Sequence, residues 1–240
     1  MALYAMADLH LSGSVPKSME VFGRRWVGYT EKIEKRWHAL VTDADTVVIP
    51  GDVSWAMTLA EAEADFRFLE SLPGKKLIGK GNHDFWWTTV KKMHSFFDAI
   101  DVHSLSFLYN NAYRVEDMIV CGTRGWFVEE GRQHSVNPVD YGKLVSREAQ
   151  RLEHGLLEAV ALRQGEEEIL VFLHFPPVFG SFICREIVDM LHQYGIRRCY
   201  YGHIHGTYSL PADVDFEGIC FTNIAADYLD FIPLRIQNGV

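Results

Sequence analysis

The chain has 240 residues, of which 48% are hydrophobic and 23% are charged. This composition can supply a buried core, which excludes a mainly disordered protein, and the length predicts one globular domain spanning residues 1–240. The formal net charge of −9, from 23 basic and 32 acidic residues, argues against capture of nucleic acid or of an anionic membrane through overall charge.

The cysteines and the apolar runs predict where the protein resides. The four cysteines form no C-x-x-C pair, which argues against a thiolate zinc site and against a disulfide scaffold. The apolar segment at residues 1–7 is too short for a signal peptide, and no run approaches the roughly 20 apolar residues of a transmembrane helix. We therefore expect a soluble, cytoplasmic protein with reduced thiols and no membrane contact.

Short apolar runs alternate with longer helical patterns along the chain, which is typical of an α/β domain. Several of the short runs carry β-branched or aromatic residues and end at glycine or proline, as strands do. The predicted strands are Leu3–Ala7, Thr46–Ile49, Lys76–Gly79, Met118–Cys121, Ile169–Leu173, Arg198–Tyr201, Ile219–Thr222 and Ile232–Ile236.

Three helices are predicted between these strands. A capping box and a Pro-Gly stop delimit the helix Thr58–Leu72. Apolar residues at helical spacing predict two more helices, Lys143–Arg163 and Ile183–Tyr194. The stretch Thr123–Gly142 contains three glycines and one proline, and its apolar residues show little periodicity. It is predicted to be a long loop, and loops of this length inside a compact domain tend to be functional.

Five of the predicted strands lead directly into polar residues that can bind a metal ion or a phosphate. If these strands are parallel, their carboxyl ends share one edge of the sheet, where open α/β folds place ligands. Residues two apart in an extended chain point to the same side, so each D-x-H or H-x-H pair can face one centre. The motifs are Asp8-Leu9-His10, Gly51-Asp52, Gly81-Asn82-His83-Asp84, His174 and Gly202-His203-Ile204-His205.

In this order, D-x-H, G-D, G-N-H-D, H and G-H-x-H, the motifs resemble the pattern of the calcineurin-like metallophosphoesterase family over residues 8–205. The resemblance implies a four-layer αββα sandwich of two mixed β-sheets flanked by helices. The stretches Gly51–Met57 and Gly81–Trp87 look like those of a bacterial branch of predicted phosphohydrolases, and the arginine-containing motifs of Ser/Thr protein phosphatases are absent.

The resemblance also implies two divalent metal ions that share the carboxylate of Asp52. The ligands that it implies are Asp8, His10, Asp52 and His205 for one ion, and Asp52, Asn82, His174 and His203 for the other. Imidazole, carboxylate and amide ligands suit manganese, iron, zinc or magnesium, and they do not choose among these metals. Bound metal can lower the pKa of water from about 15.7 to about 7, which would supply a bridging hydroxide for in-line attack on phosphorus.

The remaining motif residues have implied roles beside the ions. His83 would assist the leaving group as an acid, and Asp84 would orient His83 and raise its pKa. Candidates for holding the substrate are Arg124, Trp126 and His134, with Tyr141 beside them, although a surface arginine and a core tryptophan are the alternative. Trp55, Trp86 and Trp87 either wall the site or pack in the core.

The expected activity is metal-dependent hydrolysis of a phosphate ester on a phosphorylated small molecule or a nucleotide. Monoesterase and diesterase activity both stay open, as does the oligomeric state. A nuclease or nucleotide phosphodiesterase of the same fold is one alternative, although the acidic charge speaks against a nucleic-acid partner. A non-catalytic metal-binding scaffold is the other alternative, and the intact ligand set argues against it.

Overall fold

The computed structural model describes residues 1–128 and 138–239 of the chain. Its strands and helices are numbered below in chain order. The first sheet has the order β13 (Leu234–Ile236), β1 (Leu3–Ala5), β2 (Thr46–Ile49), β3 (Lys75–Ile78) and β4 (Leu105–Phe107). Strands β1 to β4 are parallel, and the edge strand β13 is antiparallel to β1.

The second sheet has six strands in the part of the chain that the structure describes. Their order is β11 (Asp213–Phe216), β12 (Ile219–Asn223), β10 (Arg198–Tyr201), β7 (Glu168–Leu173), β6 (Met118–Thr123) and β5 (Asn111–Val115). The four central strands are parallel, and both edge strands are antiparallel to their neighbours. A separate two-stranded hairpin is formed by β8 (Val178–Phe179) and β9 (Phe182–Ile183).

Helices cover the outer faces of both sheets. The α-helices are α1 (Tyr29–Leu40), α2 (Glu63–Ser71), α3 (Val90–Ala99), α4 (Pro138–Leu162) and α5 (Arg185–Gln193), and short 3-10 helices occupy Met19–Phe22 and Arg24–Trp26. Within the described ranges, no helix combines the length and the apolar character that crossing a membrane requires.

The burial pattern of the strands shows that a sheet can have a hydrophobic core on each of its two faces. Along β7, Leu170 and Phe172 enter a core between the two sheets, where Leu3 and Ala5 of β1 also lie. The intervening Val171 belongs to a second core, between the second sheet and the helices α4 and α5. Because successive side chains of a strand point to opposite faces, a strand buried on both faces supplies two cores at once. The mixed α/β sandwich that the sequence predicted is confirmed.

Two details of the sequence prediction are wrong. The helix α4 begins at Pro138, five residues before the predicted Lys143, so the end of the predicted loop Thr123–Gly142 is helical. Proline is favourable at a first helical position because its missing N–H has no partner there anyway. The helix α2 begins at Glu63 and not at Thr58. Only half of the capping box forms: the Glu61 N–H donates to Thr58 Oγ1, but the Glu61 carboxylate accepts the Met57 N–H. These bonds close a turn that precedes the helix.

The prediction that the motif strands share one edge of a single sheet is wrong. Strands β1, β2 and β3 belong to the first sheet, whereas β7 and β10 belong to the second. The two sheets meet where β1 ends, because the Ala7 N–H donates to the Ile224 carbonyl at 2.8 Å and the Ala226 N–H donates to the Ala7 carbonyl at 2.9 Å. This junction brings the carboxyl ends of both sets of strands together.

The core between the sheets should therefore carry much of the stability of the fold. Leu170→Ala removes a fully buried side chain from this core, and we expect it to lower the free energy of unfolding by about 3 kcal/mol. Leu157→Ala, on α4 and 55% exposed, is the matched control and should change it by less than about 0.5 kcal/mol. Chemical denaturation measures both. Equal effects of the two substitutions would contradict the assignment of this core.

Candidate metal centre

Two groups of metal-ligating side chains lie side by side at the junction of the sheets. Candidate ligand atoms of Asp8, His10 and His205 all lie within 4.8 Å of one another. The same is true of the group formed by Asp52, His174 and His203. Each group takes residues from both sheets, so the complete arrangement requires the junction between them.

Asp52 lies between the two groups. Its Oδ2 atom is 3.7 Å from Nε2 of His10 and 3.6 Å from Nε2 of His174. Asn82 also lies at the second group, where its Oδ1 atom is 2.6 Å from Nε2 of His174. In the first group, the Nε2 atoms of His10 and His205 are 3.2 Å apart. All seven predicted ligands are thus brought together, with Asp52 in the shared position.

In each of the carboxylates of Asp8 and Asp52, one oxygen accepts a backbone hydrogen bond and the other oxygen is directed at the histidines. Asp8 Oδ2 accepts a hydrogen bond of 2.8 Å from the His203 N–H, and its Oδ1 atom has no hydrogen-bond partner among the described residues. Asp52 Oδ1 accepts a bond of 2.7 Å from the His83 N–H, while its Oδ2 atom faces His10 and His174. Each of these two carboxylates is therefore oriented by the backbone of another motif.

The motif glycines allow these loops to approach closely. A Cβ atom on Gly81 would lie 2.0 Å from Oδ1 of Asp52, and a Cβ atom on Gly202 would lie 2.3 Å from Oδ2 of Asp8. These distances are shorter than any non-bonded contact, so a side chain at either position would displace a ligand carboxylate. The backbone at Asp8 and Asp52 has positive φ angles of 60° and 50°, a strained conformation that occurs often at functional sites.

The buried donor set fits divalent metal ions. The Nδ1 atoms of His10 and His174 are buried and have no hydrogen-bond partner among the described residues. Burial raises the pKa of Asp8 to about 7, and burial followed by the charges of Asp84 and Asp8 raises that of Asp52. Burial also lowers the pKa of His10 and His174. Neutral imidazoles beside crowded carboxylates leave unpaired lone pairs, which metal cations would satisfy.

Asp84 does not orient His83, so that expectation from the sequence is wrong. The Asp84 carboxylate is buried and accepts hydrogen bonds from the backbone N–H groups of Gly81, Asp52, Val53 and Ser54, and from Nε1 of Trp86. These donors occupy its oxygens and turn it away from the neighbouring imidazole. Asp84 therefore positions the two loops that carry Asp52 and Asn82.

The His83 ring faces the cavity beside the metal centre. Its centroid lies 5.7 Å from that of His10 and 4.4 Å from that of Trp55. Burial lowers the pKa of His83 to about 4, and the charges of Lys17, His205 and Arg124 act in the same direction. The expected rise in the pKa of His83 is therefore not found, because no carboxylate of residues 1–128 and 138–239 contacts this ring.

Asp227 is a site residue that sequence reasoning missed. Its Oδ1 atom is 2.7 Å from Nδ1 of His205, and its Oδ2 atom accepts bonds from the Gly206 N–H and the Tyr208 hydroxyl. Burial alone would lower the pKa of His205, but the bond to Asp227 and the charge of Asp8 raise it. Carboxylates that hold the second nitrogen of a ligating histidine are common around metal sites. Asp227 lies 22 residues after His205 and belongs to no motif, so the sequence carried no signal for it.

A cavity of about 660 Å³ lies next to the two groups, and neither Arg124 nor Trp126 is among the described residues that line it. The Arg124 guanidinium lies 5.0 Å from the ring of Phe175, and the charge of Arg124 helps to lower the pKa of His174. Tyr141 packs against Trp126 at 6.4 Å. His134 lies outside the described residues.

The three tryptophans near the metal motifs have different positions. Trp55 lines the cavity and stacks on His10, with ring centroids 4.8 Å apart. Trp86 packs against Phe66 in the core, and Trp87 packs against Phe107. The prediction that these residues wall the site holds for the first of them, and the core alternative holds for the other two.

The comparisons with known proteins agree with this architecture. A family model described as calcineurin-like phosphoesterase matches residues 1–207. A comparison with curated protein sequences gives no match.

Three solved structures share the fold at low sequence identity. A protein of unknown function from Aquifex aeolicus is 14% identical, with a TM-score of 0.51 over 98% of this chain and 95% of that chain. The protein TT1561 of Thermus thermophilus is 12% identical, with a TM-score of 0.58 over 94% and 89% of the two chains. A phosphopantetheinyl hydrolase from Mycobacterium tuberculosis is 15% identical, with a TM-score of 0.55 over 99% and 96%. Since the family model extends over every ligand of the two groups, this chain belongs to the calcineurin-like phosphoesterase family.

Proposed function

We propose that the protein hydrolyses a phosphate ester with two divalent metal ions and that His83 assists departure of the leaving group. The observation that carries the proposal is the pair of ligand groups that meet at Asp52, next to a cavity that His83 also lines. Membership of a phosphoesterase family and the likeness to a phosphopantetheinyl hydrolase support the reaction class. Neither identifies the substrate of this chain.

The proposed ligands divide between the two ions through the shared carboxylate. Asp8, His10, Asp52 and His205 would hold one ion, and Asp52, Asn82, His174 and His203 would hold the other. When bound, two divalent ions lower the pKa of water and neutralise the charge that develops on the phosphoryl oxygens. The protein's own part is to orient the ligands, which the backbone bonds to Asp8 and Asp52 do. These bonds also favour the ionised carboxylates, against the burial that raises their pKa.

His83 would act on the leaving oxygen as a neutral hydrogen-bond donor. With its pKa lowered to about 4, the imidazole is uncharged at neutral pH. A neutral imidazole still carries one N–H group, which can donate to the oxygen as the ester bond breaks. Because that oxygen gains most charge when the leaving alcohol is a weak acid, the contribution of His83 should be greatest for such esters.

Two alternatives predict different results. A scaffold of this fold would bind metal without turnover, whereas a nuclease would act on nucleic acid in spite of the charge of −9. Purified protein should therefore be assayed with aryl phosphate, bis-aryl phosphate and nucleotides, each with manganese, zinc, iron and magnesium. Absence of turnover in every combination, with metal measurably bound, would favour the scaffold and reject the hydrolase.

Asp52→Asn should weaken the binding of both metal ions together. Loss of a shared ligand is expected to lower each affinity by more than about tenfold. Stability of the metal-free protein should not fall, since an amide avoids the cost of ionising a buried group beside Asp84 and Asp8 and keeps an oxygen that can accept the His83 N–H. Isothermal titration with metal and thermal unfolding with and without metal measure these effects. Asp98→Asn, an exposed change on α3, is the control, and loss of only one ion would contradict the shared position.

His83→Ala should leave metal binding intact and lower kcat/KM by about 10²-fold for esters with poor leaving groups. The loss should be smaller for aryl phosphates, whose leaving groups need less assistance. His83→Gln keeps an N–H donor and should recover part of the rate. His38→Ala, on the exposed side of α1, is the control. Loss of metal from His83→Ala would show that this residue is a ligand.

Asp227→Ala should loosen His205 and lower the affinity of the ion that His205 binds by about 10- to 100-fold. Tyr208→Phe is the matched control, because it removes one of the hydrogen bonds of Asp227 and leaves the contact with His205 in place. Metal titration of the two variants separates these effects. Equal losses would mean that Asp227 acts through the loop and not through the imidazole.

A further inference from the structure

The cavity beside the metal centre has walls that are mainly apolar. One wall consists of Met19, Phe22 and Trp26, from the 3-10 helices that follow β1. A second wall consists of Phe179 and Phe182, which belong to the hairpin of β8 and β9. The two walls come from segments distant in sequence, and both line the same cavity.

The apolar walls reach the ligands directly. Trp26 packs edge-on against His205 with ring centroids 5.7 Å apart, and Phe127 contacts His203 at 5.6 Å. Trp55 stacks on His10 at 4.8 Å. Aromatic rings therefore surround the histidines from several directions. A phosphoryl group placed at the metal centre would have its ester substituent against these rings.

No lysine or arginine is among the described residues that line the cavity. Lys17 and Arg124 lower the pKa of His83 through their charges without lining the cavity, and the Lys17 ammonium lies 3.0 Å from the ring centroid of Trp55. Recognition of a di- or triphosphate would require such donors, because each added phosphate group brings charge that must be neutralised.

The volume indicates how much of the substrate enters. About 660 Å³ lies in the range of pockets that bind organic ligands and is far larger than a phosphoryl group requires. We propose that the substrate is a phosphate ester whose alcohol portion is apolar, an alkyl chain or an aromatic ring, held between the two walls. This inference rests on the proposed function, since it places the phosphoryl group at the metal centre.

A series of straight-chain alkyl phosphates tests the inference. Ethyl, butyl and hexyl phosphate have leaving alcohols of nearly equal acidity and differ in apolar length. We expect kcat/KM of the metal-loaded protein to rise about two- to fourfold per methylene. A hexyl phosphate with a terminal carboxylate should lose this gain, because the cavity would have to desolvate its charge. Equal kcat/KM for the three alkyl phosphates, or a higher kcat/KM for the ester with the carboxylate, would overturn the inference.

Phe22→Ala tests the wall itself. Phe22 is 61% exposed, so its truncation should not prevent folding. The ratio of kcat/KM for hexyl phosphate to that for ethyl phosphate should fall by roughly threefold. Val160→Ala, 48% exposed on α4, is the control and should leave the ratio unchanged. An unchanged ratio in Phe22→Ala and in Phe179→Ala would contradict the walls as the binding surface.

A binding measurement separates this inference from the proposed reaction. Alkylphosphonates of the same chain lengths resist hydrolysis, and their affinity for the metal-loaded protein can be measured by calorimetry. Affinity that rises with chain length, with an increasingly negative heat-capacity change, would support the apolar site even if no ester were hydrolysed. If every ester were hydrolysed but all phosphonates bound with equal affinity, the proposed hydrolase activity would stand and the apolar substrate would be rejected.

Discussion

The buried carboxylate of Asp84 fixes the two loops that carry Asp52 and Asn82, two of the seven proposed metal ligands. It accepts the N–H groups of Gly81 at 2.7 Å and of Asp52 at 2.8 Å, and so joins the ends of β2 and β3. The loops come so close that any side chain at Gly81 would collide with Asp52. This approach lets the His83 N–H hold one oxygen of Asp52 while the other faces the histidines.

The second sheet orients the other carboxylate by the same means. The His203 N–H donates to one oxygen of Asp8, and the missing side chain at Gly202 permits the close approach of the two loops. In both cases the backbone of a glycine-containing motif from one strand aligns a carboxylate from another. The geometry of the proposed ligands thus depends on strand ends that the packing of the two sheets brings together. It would be disturbed by a change in sheet packing as well as by loss of a ligand.

The sequence was most informative where the candidate residues lie in contiguous motifs. The resemblance of these motifs to the family implied all seven proposed ligands, and the structure brings the seven side chains together. The role of Asp84 was predicted wrongly because the side chains of successive residues in an irregular loop point in different directions. Asp84 is next to His83 in the sequence, but its carboxylate does not contact the imidazole. Asp227 and the wall formed by Met19 and Phe22 could not be predicted, because tertiary packing alone connects them to the site.

Burial links the electrostatics of the centre to the shape of the cavity. Removal from water raises the pKa of Asp8 and Asp52, so without cations these carboxylates resist ionisation. The rings of Trp26 and Trp55 cover the His10 imidazole beside Asp52 and also line the cavity. A polar side chain in place of either ring would admit water to the ligands. Metal affinity and preference for an apolar substituent are therefore expected to change together, because the same rings exclude water from both.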